Sequence, residues 1–563
     1  MCIRSLLLFT TILTGAAVAH AADIPPSPEN ITKTDNDTAP PALVPVLKGM
    51  RFSASTDCVN EPVIQPLEID QGLDVLQDPK FKGVVESYLG RPTTMADIQQ
   101  ISQAVTTAYR NRGAPFMRVT TPPQDITDGA IRFIITPFRL GHIAVAGNQW
   151  FSDETLVSEC DLKPGQVLLL ADVNADLERL NANPFRQVEA HFSPGTDPGT
   201  TDLTLQTKDR FPIKVFASYD NAGAPSVGQT EWATGITWGN VAGLDAQASY
   251  QYMKSDSGRF EGHSATLSAP LPWHDQIQLQ GAYSVQTPSS DTILGIQGVS
   301  GQASLRYIHA FGLLHLTANT TFSQSLQFGY DFKTTNNNIE FGGFRIFATQ
   351  VEVDQFPLTY DAVLADKWGQ FAFENSLFLS PGGLTSNNNA AAFRALLPDA
   401  RDTYFYDRMS LTRTTFFGGD FSLTSRLIAQ MSPHNLMYTE QLGIGGVNSV
   451  RGYFSNTATG STGFLASNEL RAPPASLLKL LWPESPVLDQ IQAGIFWDYG
   501  YGRQVTPIPD ATNEAVLSSI GLDLHMVADR YIDVKFDIGW RLRRPPQNDT
   551  RGAFADFSVT ASF

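Results

Sequence analysis

Few residues in this chain have both a type and a spacing that could do chemistry, and the most distinctive are Arg451 and Asp498. Arg451 lies in the run Gly445-Gly446-Val447-Asn448-Ser449-Val450-Arg451-Gly452-Tyr453, and Asp498 in Phe496-Trp497-Asp498-Tyr499-Gly500. An arginine offers donors in a rigid, permanently charged fork, and a carboxylate can accept two of them side by side. The chemistry on offer is recognition and anchoring, with no bond made or broken. Gly452 permits a tight turn that aims the arginine, and Gly500 permits close approach to a strand backbone. On the residues alone two readings stand. One is a buried pair; the other is a solvated loop arginine and an unrelated polar strand residue.

Other chemistries find little support. The nine histidines show no metal-ligand spacing and neither Cys58 nor Cys160 sits near a second ligand, so no metal and no cofactor is expected. The glycine run at 443–446 lacks the Gly-Lys-Ser/Thr ending of a phosphate loop and any following helix. No Gly-x-Ser-x-Gly elbow occurs. Asp153-Glu154 reads as a pair of carboxylates at a helix start. No catalytic residue is expected, and the chain does not read as an enzyme.

Composition narrows the class. A net charge of −17 argues against nucleic acid, whose phosphates would be repelled. Charged residues make up 17% of the chain and hydrophobic ones 42%. That charge is low beside the roughly 25% of soluble proteins, and moderate apolarity with low charge fits strands whose apolar residues alternate with neutral polar ones.

The elements that must position these residues follow in order. Arg4, the apolar stretch 6–18 and Ala19-His20-Ala21 form a signal peptide over residues 1–21, which implies export. Beyond it no run of about 18 or more apolar residues occurs. Residues 22–50 form a Pro-rich segment or a short plug helix. Residues 51–137 read as β-α-α-β-β, with Thr94 capping a helix whose apolar face holds Ile98, Ile101, Val105 and Ala108. Residues 138–209 repeat that order, with Ser152 opening a helix and Val173, Leu177 and Leu180 marking another. With Cys2 leaving in the signal peptide, Cys58 and Cys160 remain, one in each module, and whether they pair is open.

From 210 to 563 the helical period gives way to strands of period two. In 276–286, Ile277, Leu279, Gly281, Tyr283 and Val285 face one way and the glutamines the other. Such a strand suits a soluble sandwich as well as a barrel with lipid outside and a wet lumen. The count favours the barrel: sixteen strands are expected, beginning near Phe211, with the seventh near Leu313, the eleventh near Phe421, the twelfth near Gly463, the thirteenth near Asp489 and the last near Phe554. An even number brings both ends of the sheet to one side, and closure leaves no free edge. The long connection 431–462 between the eleventh and twelfth strands carries Arg451.

These motifs, in this order, resemble the two-partner secretion transporters, the haemolysin and filamentous-adhesin exporters of the barrel-assembly superfamily. The matching residues are Val450-Arg451-Gly452-Tyr453 in the sixth extracellular loop and Phe496, Asp498 and Gly500 on a following strand. Pro123-Gln124-Asp125 with Gly129 resembles the end of a first polypeptide-transport-associated domain, and 185–211 the end of a second. The resemblance implies a transmembrane antiparallel β-barrel of 16 strands with two N-terminal α+β (β-α-α-β-β) periplasmic domains, in the outer membrane of a Gram-negative-type bacterium. It implies that Arg451 anchors the loop on Asp498 inside the lumen, and that Phe563, ending the last strand, is an outer-membrane sorting signal. It further implies that one large exported partner protein, bound through its N-terminal secretion domain, crosses unfolded without ATP. Outer-membrane lipid and, during biogenesis, the barrel-assembly machinery are the other partners. Three readings compete. A barrel-assembly factor usually carries three to five such modules, a passive porin-like channel needs none, and an enzyme embedded in a barrel would need catalytic residues. The cargo's identity and the oligomeric state are not written in the sequence.

Overall fold

The computed structural model describes residues 42–289, 294–317, 319–341, 344–509, 511–546 and 552–563. The signal peptide and most of the 22–50 segment lie outside these residues, and so does the side chain of Cys58, on which the disulfide question rests. The chain divides into two compact units at Phe211/Pro212.

The first unit holds two modules. In the first, β1 (Gly49–Ser53), β2 (Leu67–Ile69), α1 (Pro79–Glu86), α2 (Met95–Arg110), β3 (Met117–Thr120) and β4 (Ala130–Pro137) form a sheet of order β2-β1-β4-β3 with the helices packed on it. Helix α2 starts where Thr94 and Asp97 exchange hydrogen bonds in a capping box, and it buries Ile98, Ile101 and Val105. Phe52 stacks on Phe133 and meets Phe81 edge-on at the centre of the core. Val44 and Leu47 are buried in that core too, so it reaches back past the boundary at 51. The short β2 is an addition to the β-α-α-β-β order.

In the second module, β5 (Arg139–Ala146), α3 (Asp153–Ser158), α4 (Leu170–Asn181), β6 (Arg186–Pro194) and β7 (Thr200–Asp209) keep that order, with sheet order β5-β7-β6. Ser152 caps α3 through the Thr155 N–H. Cys160 is a free thiol against the module's core, and burial pushes it up to about 12.

The second unit is a closed antiparallel barrel of sixteen strands, from Ile213–Asp220 to Ala553–Ser562. Residues 314–317, which the sequence assigns to the start of a seventh strand, continue the pairing of the sixth against the seventh, Thr320–Phe341. The Gly312 bend hides this continuity from the alternation pattern. Leu279, Tyr283, Ile495, Trp497, Ile520 and Leu522 point outward and are 45–54% exposed. Asp498 and Ser519, of the opposite parity, are 0% exposed. Apolar outside and polar inside is the polarity that lipid demands. The first and last strands close the sheet over five register pairs, Ser558↔Asp220 to Ser562↔Phe216.

Candidate functional site

The loop between the eleventh strand (Ser422–Met431) and the twelfth (Thr462–Arg471) does not stay at the surface. A two-stranded ribbon, Leu442–Ile444 against Ala458–Gly460, holds its arms together. The segment between them reaches inward-facing side chains of the barrel wall.

Arg451 is the most connected residue there. Its Nε donates to Asp498 Oδ2 at 2.8 Å and its Nη2 to Oδ1 at 3.0 Å, the side-by-side geometry that a guanidinium and a carboxylate favour. The Arg451 backbone N–H donates to Asp498 Oδ2 at 3.0 Å as well. The third arm, Nη1, reaches Glu469 Oε2 at 2.5 Å and lies 3.5 Å from Asp537 Oδ1. Ser467 Oγ donates to Asp498 Oδ1 at 2.6 Å. Phe496, two residues before Asp498 and so on the same face of its strand, lies beneath the guanidinium, whose carbon is 3.6 Å from the ring centroid. The motif Phe-x-Asp therefore supplies one group under the plane of the arginine and one at its edge. Arg451 is 7% exposed and Asp498 0%, so each charge depends on the other's presence.

The neighbours of Arg451 fix the loop tip by contact. Gly452 has φ +85°, and a Cβ there would sit 2.8 Å from the Gly539 carbonyl oxygen. Its own carbonyl accepts from Arg541 Nε at 2.6 Å. Val450 and Tyr453 are buried with Leu442, Ile444, Leu465 and Leu517. The Tyr453 hydroxyl lies 2.8 Å from the Ser518 carbonyl and 2.6 Å from that of Arg543. Gly500 makes room for this cluster, since a Cβ there would come within 2.5 Å of Ile444 and 2.8 Å of Val450. A cavity of about 260 Å³, lined by Arg426, Ser449, Arg451, Glu469 and Arg471 among others, remains beside the tip.

Sequence reasoning had no hold on several of these residues. Ser467, Glu469, Asp537, Gly539 and Arg541 come from the twelfth and fifteenth strands, and none sits in a motif. One signal was available for the twelfth: Ser467, Glu469 and Arg471 alternate with Ala466, Asn468 and Leu470, so the charges share one face. A second tether was also missed. Glu440, buried at the base of the loop, accepts from Lys333 Nζ at 2.8 Å, Tyr406 Oη at 2.8 Å and Gln355 Nε2 at 3.0 Å. Phe563 lies apart from all this, 74% exposed, with its N–H and C=O exchanged with Val215 at 2.9 and 3.0 Å.

In the first unit, β6 is an edge strand. One rung of its free edge is occupied by a side chain: Asn181 Nδ2 donates to the Val188 carbonyl at 3.0 Å, and the Val188 N–H donates to Asn181 Oδ1 at 2.7 Å. By strand parity Ala190 and Phe192 direct their N–H and C=O groups to the same side.

Comparison with known proteins agrees with this architecture. The POTRA domain profile of ShlB type matches residues 65–137. The outer membrane transporter CdiB-2 of Burkholderia pseudomallei (strain 1026b) is 24% identical over 72% of this chain and 70% of its own length. The outer membrane transporter CdiB of Dickeya dadantii (strain 3937) is 22% identical over 90% of each. The structure of CdiB from Escherichia coli superposes with a TM-score of 0.71 at 18% identity, covering 95% of this chain and 94% of that one, and shares the fold. The profile of the haemolysin secretion/activation proteins ShlB/FhaC/HecB matches residues 199–524. That span is more than half of the chain, which therefore belongs to this family of two-partner secretion transporters of the outer membrane, with its N-terminal modules in the periplasm.

Proposed function

We propose that this transporter captures one large exported partner protein on the sheet edges of its periplasmic modules and passes it, unfolded, through the barrel. Capture by strand addition places affinity in main-chain hydrogen bonds and selectivity in side-chain pockets. Export draws on no ATP; folding of the cargo outside prevents its return. The observation that carries this reading is the Arg451–Asp498 anchor, because a loop of this length held by ion pairs inside the lumen closes the path at rest and can be displaced as a unit. Val450, Gly452 and Tyr453 seat the loop, and Phe496, Asp498 and Gly500 receive it. Phe563 is the group that the barrel-assembly machinery reads during biogenesis.

The test is export of a large secreted partner protein co-expressed with this chain. Cells carrying the wild-type transporter release it to the medium, and cells carrying Arg451→Ala retain it while the barrel still inserts. Equal release by both would remove the lumen anchor from the mechanism. The alternatives, a barrel-assembly factor of the same shape and a passive porin-like channel, are set aside by the family to which the chain belongs.

A further inference from the structure

The connection between the twelfth and thirteenth barrel strands, residues 472–488, opens at the end of the barrel where the last strand also finishes. Periplasmic turns of such barrels are short, yet this one carries a helix, α6 (Leu477–Leu481). Its sequence is apolar, with Lys479 and Glu484 its only charges. Leu480, Leu481, Trp482 and Leu488 are exposed at 79, 73, 58 and 66%.

The segment is not a loose tail. Ala475 and Ile491 exchange both backbone hydrogen bonds, at 2.9 and 2.7 Å, continuing the ladder past the strand end. Asp489 caps the helix start by accepting from the N–H groups of Leu477 and Leu478, at 2.7 and 3.0 Å. Asp529 N–H donates to the Leu488 carbonyl at 2.7 Å. These bonds pin α6 to the rim of the barrel. Ile491, the partner of Ala475, shares the parity of Ile495 and Trp497, so this last rung points its side chains to the outward row of the strand. The neighbouring turn at the same end, between the tenth and eleventh strands, exposes Phe416, Phe417 and Phe421, the aromatic residues that mark a membrane–water boundary. An exposed apolar patch on a soluble surface invites association. Here the patch is tied by backbone hydrogen bonds to the end of a strand whose outward row is apolar and exposed.

We propose that residues 472–488 form an interfacial anchor, with α6, Trp482 and Leu488 immersed at the headgroup–acyl boundary of the periplasmic leaflet. The occupant of the patch is lipid. Leu480 and Leu481 insert, Trp482 sits at the boundary as an amphipathic ring does, and Lys479 meets the headgroups. The anchor holds the periplasmic end of the strand that carries Phe496 and Asp498.

The test uses the full chain with its own cysteines replaced by serine, folded into phosphatidylethanolamine–phosphatidylglycerol vesicles. A nitrobenzoxadiazole label is attached at Leu481→Cys, and separately at Glu484→Cys, the exposed acidic position of the segment. Acyl-brominated lipids and aqueous iodide are the two quenchers. The expected result is at least twofold stronger quenching by brominated lipid at 481 than at 484, with the reverse order for iodide. A 481 label open to iodide and untouched by brominated lipid would overturn the proposal. Protection at 481 that appears only on adding the partner's N-terminal segment would overturn it as well, and would assign the patch to protein. Should the 481 variant lose the heat-modifiable migration of a closed barrel, Leu480→Cys carries the same measurement.

Discussion

Gly452 of the loop and Gly539 of the fifteenth strand meet backbone to backbone. A Cβ built on Gly539 would lie 2.7 Å from the Gly452 Cα, and one built on Gly452 would lie 2.8 Å from the Gly539 carbonyl oxygen. Neither position has space for a methyl group, and Gly452 at φ +85° is in a backbone region that other residues rarely adopt. Gly539→Ala should therefore lift the loop tip, at a cost of about 1–3 kcal/mol for overpacking. Proteolysis of the loop in intact cells and single-channel conductance in planar bilayers would both rise. Unchanged conductance in Gly539→Leu would mean that the tip does not block the lumen.

Arg451→Ala should leave the barrel inserted and sharply reduce export, because Asp498 loses its partner while remaining fully buried. Removing one member of a buried pair costs about 3–5 kcal/mol, and lumen water lowers that figure. Asp498→Ala should act similarly, and the double variant should be little worse than either alone. Arg451→Lys should fail to rescue, since an ammonium cannot make both contacts to Asp498 and stack on Phe496. Strictly additive losses of secreted cargo would separate the two residues.

The lipid face sets a second contrast. Leu279 is 46% exposed on the outside of the fifth strand, and Gln280 has the opposite parity. Leu279→Arg should destabilise the barrel by about 2–4 kcal/mol if it lies near the bilayer midplane, while Gln280→Arg should be mild. Denaturant titration in vesicles reads both.

The periplasmic modules should fold as the fragment 42–211, and a fragment starting at 51 should be less stable because it lacks Val44 and Leu47, both buried in the first core. Truncating a large buried aliphatic residue costs about 2–5 kcal/mol. Acid should weaken the same fragment through Asp97. Hydrogen bonds from the Thr94 side chain and backbone, helped by Arg91, hold its folded pKa below the ordinary 3.8. A depressed carboxylate contributes stability above its unfolded pKa and loses it as pH falls through the folded value. The contribution is thus complete at neutral pH and fades below about pH 4, within the ordinary range of aspartate. Thermal melts of Asp97→Asn should show a shallower acid limb than wild type.

How much of this was legible varies with the physical signal. The strands announced themselves through alternation, which lipid on one side and water on the other enforce at every position. The continuation of the sixth strand through 314–317 was misassigned because a bend at Gly312 looks like a terminus in sequence. The Arg451–Asp498 contact was legible because each residue sits in a compact motif. Glu469, Asp537 and Gly539 were not, since closure of the sheet brings them to Arg451 from strands with no motif of their own. Phe496 stood in a motif without a visible task; its place under the guanidinium follows from the two-residue repeat once the direction of Asp498 is known.

The carboxamide of Asn181 on the free edge of β6 has one further consequence. A chain that pairs with that edge cannot run its full length: Asn181 already fills the rung at Val188, and Pro194 offers no N–H at the other end. Two rungs remain between, at Ala190 and Phe192. Two rungs would set the phase of a pairing strand and add few main-chain hydrogen bonds. If capture runs by strand addition as proposed, the part of it made on this edge is a matter of alignment, and the grip has to come from elsewhere on the modules.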